Sequence, residues 1–334
     1  MHQVMAKKQK NLQNLIGFKT YQNSKMKNIF LLIIVLVFFS CNSNVSLIKD
    51  QKSIDSLVSK YIDNGSQALL LVWLEDKNGN SIYKFSDKNI NLVPNQDIDE
   101  NTWFRIWSMS KIVTISITMD LVEEGLLDLA DPVSKYIPEF NDIKVAVAKD
   151  GRSLTTYAQA LGNDKSNLDD PCPIKIIERE TEMTVLQLIN HQAGFYYSTT
   201  GIDCLDDGLA MKNLADSKNS NEFIQRLSEL PLIDQPGKKD FYGLNTTVLG
   251  IVNERATGKT LDELVKNRIT GPLNIEGLQY NKNTDTKLLP VFSGADSIIR
   301  LANKGELDIM GKYVPGYGIN NELFLGGEGM IGTA

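Results

Sequence analysis

The chain has 334 residues, enough for one large domain or two smaller ones, with the apolar and charged fractions of an ordinary globular protein. Its first 40 residues carry six lysines and no acid, which leaves 29 basic against 41 acidic residues and a formal charge of −12 on the remainder. A body that acidic repels polyphosphate, and no basic stripe interrupts it, so a nucleic-acid partner is not expected.

Residues 26–41, Met-Lys-Asn-Ile-Phe-Leu-Leu-Ile-Ile-Val-Leu-Val-Phe-Phe-Ser-Cys, place Lys27 before eleven unbroken apolar residues. That run is short for a bilayer span and suits the core of an export signal. Ser40 before Cys41 resembles the cleavage box of bacterial lipoproteins, with Phe38 where an aliphatic residue is usual. The resemblance implies lipid on Cys41 and an exported, membrane-anchored body in the periplasm or outer membrane; an uncleaved anchor helix is the alternative. Met26 is a candidate start. Residues 41–60 then read as a polar tether and 61–334 as the folded domain. Cys172 and Cys204 lie in loop-like sequence, where an oxidising compartment allows either a disulfide or two free thiols. One histidine beyond the signal and no Cys-x-x-Cys argue against a metal site.

Residues 68–75, 76–80 and 81–85 read as strand, turn and strand, a hairpin. The central stretch is Phe104-Arg-Ile-Trp-Ser-Met-Ser-Lys111, followed by an apolar run over 112–122. In a helix starting at Trp107 or Ser108, the spacing of Ser108 and Lys111 stacks hydroxyl and amine on one face of its first, positive turn. A serine hydroxyl is a poor nucleophile until a neighbouring base takes its proton. A lysine serves as that base where apolar surroundings or a second cation loosen its own proton. The apolar run reads as a helix buried all round, which supplies the desolvation. Ser110 is the rival hydroxyl, but a residue adjacent to Lys111 in a helix points about 100° away from it. Ser-x-x-Lys recurs by chance in many proteins, so the pair gains meaning only from its surroundings.

The helix should end near Glu124 at Gly125. A short Pro-bounded segment fills 129–140, and 141–182 reads as an irregular surface excursion. Thr184-Val-Leu-Gln187 has capping-box spacing and opens a helix over 185–191 that stops at Gly194. Residues 196–219 read as loop, 221–230 as a short amphipathic helix, and 235–245 as a turn feeding a helix over 247–256. Thr257-Gly-Lys-Thr260 imitates the tail of a phosphate loop, but that motif's first glycine would fall on Asn253. A helix stop at Gly258 followed by a Thr260-Leu-Asp-Glu263 cap explains it better. Residues 324–334 read as a glycine-rich loop.

Four of these segments together resemble the serine β-lactamase and penicillin-binding-protein superfamily, nearest its class C β-lactamase-like esterases. They are Thr102-Trp-Phe-Arg-Ile-Trp-Ser-Met-Ser-Lys111; residues 121–140; residues 184–194, ending His-Gln-Ala-Gly where the family usually has His-Thr-Ser-Gly; and residues 236–250, with Tyr242 ahead of Val248-Leu-Gly250. The resemblance implies an α+β fold, a mainly antiparallel sheet flanked by helices with a helical lobe. It implies Ser108 as the nucleophile of an acyl-enzyme, Lys111 as general base, and Tyr242 as the phenol that shares proton transfer and protonates the leaving group. It implies a small ester, amide or peptide substrate and no cofactor. Without the resemblance, Tyr242 reads as an ordinary half-buried tyrosine.

Two departures stand out. Leu244 occupies the place two after Tyr242 where the family usually has asparagine, and Asn245 comes one later, which weakens a β-lactamase assignment. The third family motif, Lys-Thr-Gly or its relatives, is nowhere in the chain, so the sequence reads as C-terminally truncated with its last strands missing. On that reading one of two oxyanion donors is lost and Ser108 N–H is the other, a loss worth about 10²–10³ in rate. A Ser-His-Asp triad has only His191 to draw on, at the end of an apolar helix where a structural histidine is expected, and Gly-x-Ser-x-Gly is absent. The competing functions are a non-catalytic truncated lipoprotein that only binds, and a penicillin-binding D-Ala-D-Ala peptidase.

Overall fold

The structure, a computed structural model, describes residues 50–154, 170, 172–280, 288–294, 299–303 and 322–334. The signal-like segment and Cys41 lie outside them. The chain divides into two units, residues 1–51 with 74–83, and residues 52–73 with 84–334. Of the first, the described part is mainly a hairpin tip. Asp76 Oδ1 accepts the backbone N–H groups of Asn78 and Asn80, and Gly79 adopts a φ of 79°, which glycine takes at no steric cost.

Helix α1 (Gln51–Asp63) begins inside the stretch expected to be a tether. Ile54, Val58 and Ile62 recur every fourth residue on its inner face, a pattern that a polar composition conceals. Strands β1 (Leu69–Glu75) and β2 (Ser81–Lys88) form the expected hairpin. Strand β3 (Phe104–Arg105) leads through a 3₁₀ turn at Trp107–Met109 into helix α2 (Ser110–Glu123), which ends at Glu124 with Gly125 in the left-handed region.

The span 141–182 is not wholly irregular. Strands β4 (Val145–Ala148) and β5 (Ile174–Ile177) pair antiparallel there, and all four side chains of β4 are buried. Four apolar residues in a polar context were too few to show a period. Helix α3 (Val185–Ile189) carries the reciprocal Thr184–Gln187 capping box. Helix α4 (Asp203–Lys212) corrects the loop expected over 196–219. Its acids hid it: Asp206 accepts from Thr200 and Gly201 N–H ahead of the helix, while Leu205 and Leu209 are buried. Cys204, on this helix, is bonded to Cys172.

Asn219 caps helix α5 (Ser220–Leu227) through the Glu222 N–H. Helix α6 (Asn245–Thr257) stops at Gly258, with φ 69°, and Thr260 and Glu263 cap helix α7 (Leu261–Leu264), which runs into a π turn at Val265–Thr270. Helix stop and helix cap therefore account for the phosphate-loop look-alike. Strands β6 (Leu278–Tyr280), β7 (Phe292–Ser293) and β8 (Arg300–Leu301) follow.

The glycine-rich end holds strand β9 (Met330–Gly332), not loop alone. It is the central strand of an antiparallel sheet ordered β3-β9-β6, with Arg105 and Gln279 both opposite Ile331. Glycines with low strand propensity flank a short Met-Ile pair, and tertiary packing overrides the local preference. Mixed helices and antiparallel sheet give the α+β class expected.

Helix α2 is not buried all round. Ile112 is 70% and Met119 44% exposed, while the polar Ser110, Thr114 and Thr118 are buried with Ile117 and Leu121. The reason is its partner, α6. Asn253 is fully buried, donates from Nδ2 to Thr118 Oγ1 at 3.0 Å and to Thr114 O at 3.3 Å, and so joins the two helices by polar contacts that hydropathy cannot register. Asn253→Ala, which strands these groups in the core, is expected to lower stability by about 2–3 kcal/mol, read as a lower urea midpoint at unchanged m-value.

Candidate active site

The turn at Trp107–Met109 is strained where the sequence gives no glycine. Trp107 has a φ of 46°, in the left-handed region that a bulky residue rarely enters, and Ser108 follows it on the exposed side of the turn. Lys111, one turn on, is buried. Hydroxyl outside and amine inside is the arrangement an acyl-transfer site requires, because substrate must reach the first and solvent must be kept from the second. Ser110 is turned away: it is fully buried, and its Oγ accepts the Met330 N–H of β9 at 3.2 Å.

Lys111 Nζ lies 3.1 Å from Ser108 Oγ, 2.8 Å from Gly327 O and 3.3 Å from Tyr197 Oη. As an ammonium it fills all three acceptors. As an amine, two N–H bonds stay on Gly327 O and Tyr197 Oη, and the lone pair faces Ser108. Tyr242 Oη donates to Ser108 Oγ at 2.5 Å, and its ring lies under Lys111 Nζ, 4.7 Å from the centroid. Ser108 can therefore accept from the phenol while giving its proton to the amine. The three residues singled out in the sequence meet at one point.

His191 does not meet them there. It stands at φ 57°, stacks on the far side of the Tyr242 ring (centroids 4.9 Å apart), and its Nδ1 lies 3.2 Å from Asn245 Nδ2. Asn245 also donates to Phe195 O and Phe241 O from the first residue of α6. The displaced asparagine of the second motif thus buttresses the histidine behind the phenol. Burial, and then the nearby Lys111 charge, hold the imidazole below its ordinary range, with Asp240 acting the other way.

Two groups were missed in the sequence. Glu328 is 1% exposed; its carboxyl oxygens accept from Thr247 Oγ1 at 3.1 Å, and Tyr197 Oη donates to Oε2 at 3.3 Å. Burial pushes this carboxyl up, and Lys111 is the main opposing influence. Tyr197 is raised above the ordinary phenol range by burial first and by Glu328 second. The one signal available for Glu328 was an acid set among Gly326, Gly327 and Gly329 in an otherwise apolar stretch. Those glycines bring backbone to the site: a Cβ on Gly327 would lie 2.5 Å from Thr247 Oγ1. A cleft of about 510 Å³ opens beside Ser108, with Leu69, Phe104, Leu289 and Phe292 among its walls.

A family model for Beta-lactamase matches residues 87–288, and the chain belongs to that family. Lovastatin esterase from Penicillium rubens is 29% identical over 287 residues, covering 83% of this chain and 63% of the relative. Protein Rv1367c from Mycobacterium tuberculosis strain H37Rv is 26% identical over 254 residues, covering 74% and 54%. Among solved structures, EstCE1, described as a hydrolase with promiscuous acyltransferase activity, superposes with a TM-score of 0.63 at 21% identity, covering 86% of this chain and 70% of that one. The chain thus spans about half to two thirds of the length of these curated relatives. The family is that of the Beta-lactamase model, and the fold is shared with EstCE1.

Two outcomes follow for the site. A Cβ on Gly243 would land on the backbone of Phe195 and 2.5 Å from Tyr196 Cα, so Gly243→Ala must push the neighbouring Tyr242 off Ser108. It is expected to cost about 1–3 kcal/mol in thermal unfolding and most of any Ser108-dependent reactivity. For His191, the unfolded chain binds the extra proton first as pH falls, so its share of stability is present above about pH 6.5 and lost below it. His191→Gln should therefore lose less thermal stability than the parent between about pH 7.5 and about pH 5.5.

Proposed function

We propose that this chain is a serine hydrolase that works through an acyl-enzyme on a small ester or amide. The observation that carries the reading is the convergence of Lys111 Nζ (3.1 Å) and Tyr242 Oη (2.5 Å) on the exposed Ser108 hydroxyl. Ser108 Oγ attacks the substrate carbonyl as its proton passes to Lys111. The oxyanion forms at the head of α2, where the Ser108 N–H and the positive helix end favour negative charge. Tyr242 gives its proton to the departing oxygen or nitrogen and is recharged from Lys111, whose ammonium lies over its ring. Water then enters, the same pair removes its proton, and Ser108 is released. The name borne by lovastatin esterase favours an ester over a β-lactam, as does Leu244 two places after Tyr242.

The protein is further proposed to be exported and anchored by lipid on Cys41. The signal-like residues 26–41 and the Cys172–Cys204 bond, which persists in oxidising compartments, support this.

A fluorophosphonate probe should label the folded protein, and Ser108→Ala should abolish the label. Lys111→Ala should slow turnover of a chromogenic short-chain ester by roughly 10²–10⁴. Folded protein that never reacts at Ser108 would instead be a binding lipoprotein. Labelling by penicillin without ester turnover would point to the cell-wall peptidase.

A further inference from the structure

Lys111 lies in a protein interior that does not favour a bare cation. When it takes the Ser108 proton, a positive charge appears on a buried nitrogen, and something must offset the cost. Hydrogen-bond direction shows what does. Tyr197 Oη has one proton and two neighbours, Lys111 Nζ and Glu328 Oε2, each at 3.3 Å. An ammonium can only donate, so Tyr197 accepts from Lys111 and must give its own proton to Glu328. Thr247 Oγ1 lies 3.1 Å from both carboxyl oxygens and donates to them. Glu328 is thereby surrounded by donors, the environment of a carboxylate.

We propose that Glu328 is the counter-charge of Lys111, acting through the Tyr197 hydroxyl, and that it stabilises the ammonium formed when Ser108 loses its proton. Glu328 borders the cleft beside Ser108, but its hydrogen bonds run to Tyr197 and Thr247 and none reaches Ser108, Lys111 or Tyr242; it is a positioning residue. The role is the one a carboxylate plays behind a histidine base, transferred to a lysine and set one phenol further back. The step balances: the Ser108 O–H bond breaks, an N–H bond forms on Lys111, the electron pair of the oxygen goes to the substrate carbon, the carbonyl π pair moves onto its oxygen, and Glu328 is the ionised partner of the ammonium so formed. The inference rests on the acyl-enzyme reading for its catalytic consequence, though the charge pairing itself does not.

Other titratable groups face this pair. Tyr242 and, behind it, His191 lie on the Ser108 side of Lys111. Tyr280 on β6 is near Glu328 and is raised by its own burial, then by Glu254, Glu328 and Asp262. Lys111 is the cation that acts on the Glu328 carboxyl. Burial lifts that carboxyl and the Lys111 charge acts the other way, so its ionised form depends on the ammonium beside it.

The test uses the whole chain with [13Cε]lysine, the Lys111 resonance being assigned by its loss in Lys111→Arg. In Glu328→Gln, which keeps shape and removes charge, the Lys111 deprotonation midpoint should move about 1–2 pH units lower. Tyr197→Phe, which keeps the carboxylate and cuts the bridge, should move it the same way by less, and serves if Glu328→Gln fails to fold. The acid limb of the pH profile for fluorophosphonate labelling should shift with the resonance, while the plateau falls because a less basic amine is a weaker base. A lower plateau with an unmoved resonance and limb would leave Glu328 a merely structural group and overturn the proposal. A shifted resonance in a protein that is never labelled at Ser108 would keep the charge pair and overturn the hydrolase reading instead.

Discussion

One buried amine ties this protein together. Lys111 enters on α2, and its nitrogen is held by a carbonyl from the glycine-rich end, a phenol from the segment after α3, and the hydroxyl one turn before it. Each partner belongs to a different part of the chain, so the site forms only when all of them are in place. Desolvating an amine is costly, and the cost is met here by donors and acceptors arranged in a closed set: Thr247 and Tyr197 satisfy Glu328, and Gly327 and Tyr197 satisfy Lys111. A partly formed version would leave a charge without a partner, which makes the arrangement cooperative.

The surrounding fold exists to bring backbone close. Gly326 lets its carbonyl accept from Thr114 on α2 at 2.7 Å, and a Cβ on that glycine would approach within 2.8 Å of Thr246 O on α6. Gly243 allows the Tyr242 turn to lie directly on Phe195 and Tyr196. The two helices are themselves joined through Asn253 and Thr118, so the face of α2 that turns inward is the one with threonines. Polar and small residues at these crossings trade bulk for precision of placement.

Much of this was legible in the sequence, and for definite reasons. Ser108 and Lys111 could be named because Ser-x-x-Lys is a local spacing, and Tyr242 because the segment around it resembles the family's second motif. The Thr184–Gln187 and Thr260–Glu263 caps could be named because a capping box is a contact between near neighbours. What escaped is non-local. Glu328 and Tyr197 are separated by 131 positions and carry no pattern of their own. Helix α4 escaped because it carries three acids in its first two turns, one of them turned back onto the preceding loop, and β9 because three residues are too few to show alternation. The buried face of α2 was misjudged because hydropathy scores a threonine without knowing that an asparagine waits across from it.

The bond from Met330 N to Ser110 Oγ clips the central strand of the small sheet to the start of the nucleophile helix, two residues after Ser108. Sheet and helix thus share a latch close to the Ser108 hydroxyl. Any slippage of that strand between its neighbours would pull on the turn carrying Ser108. Residues 330–332 are therefore tied mechanically to the Ser108 turn, and a substitution that loosens this strand would be felt first as a displaced Ser108 hydroxyl and only afterwards as lost stability.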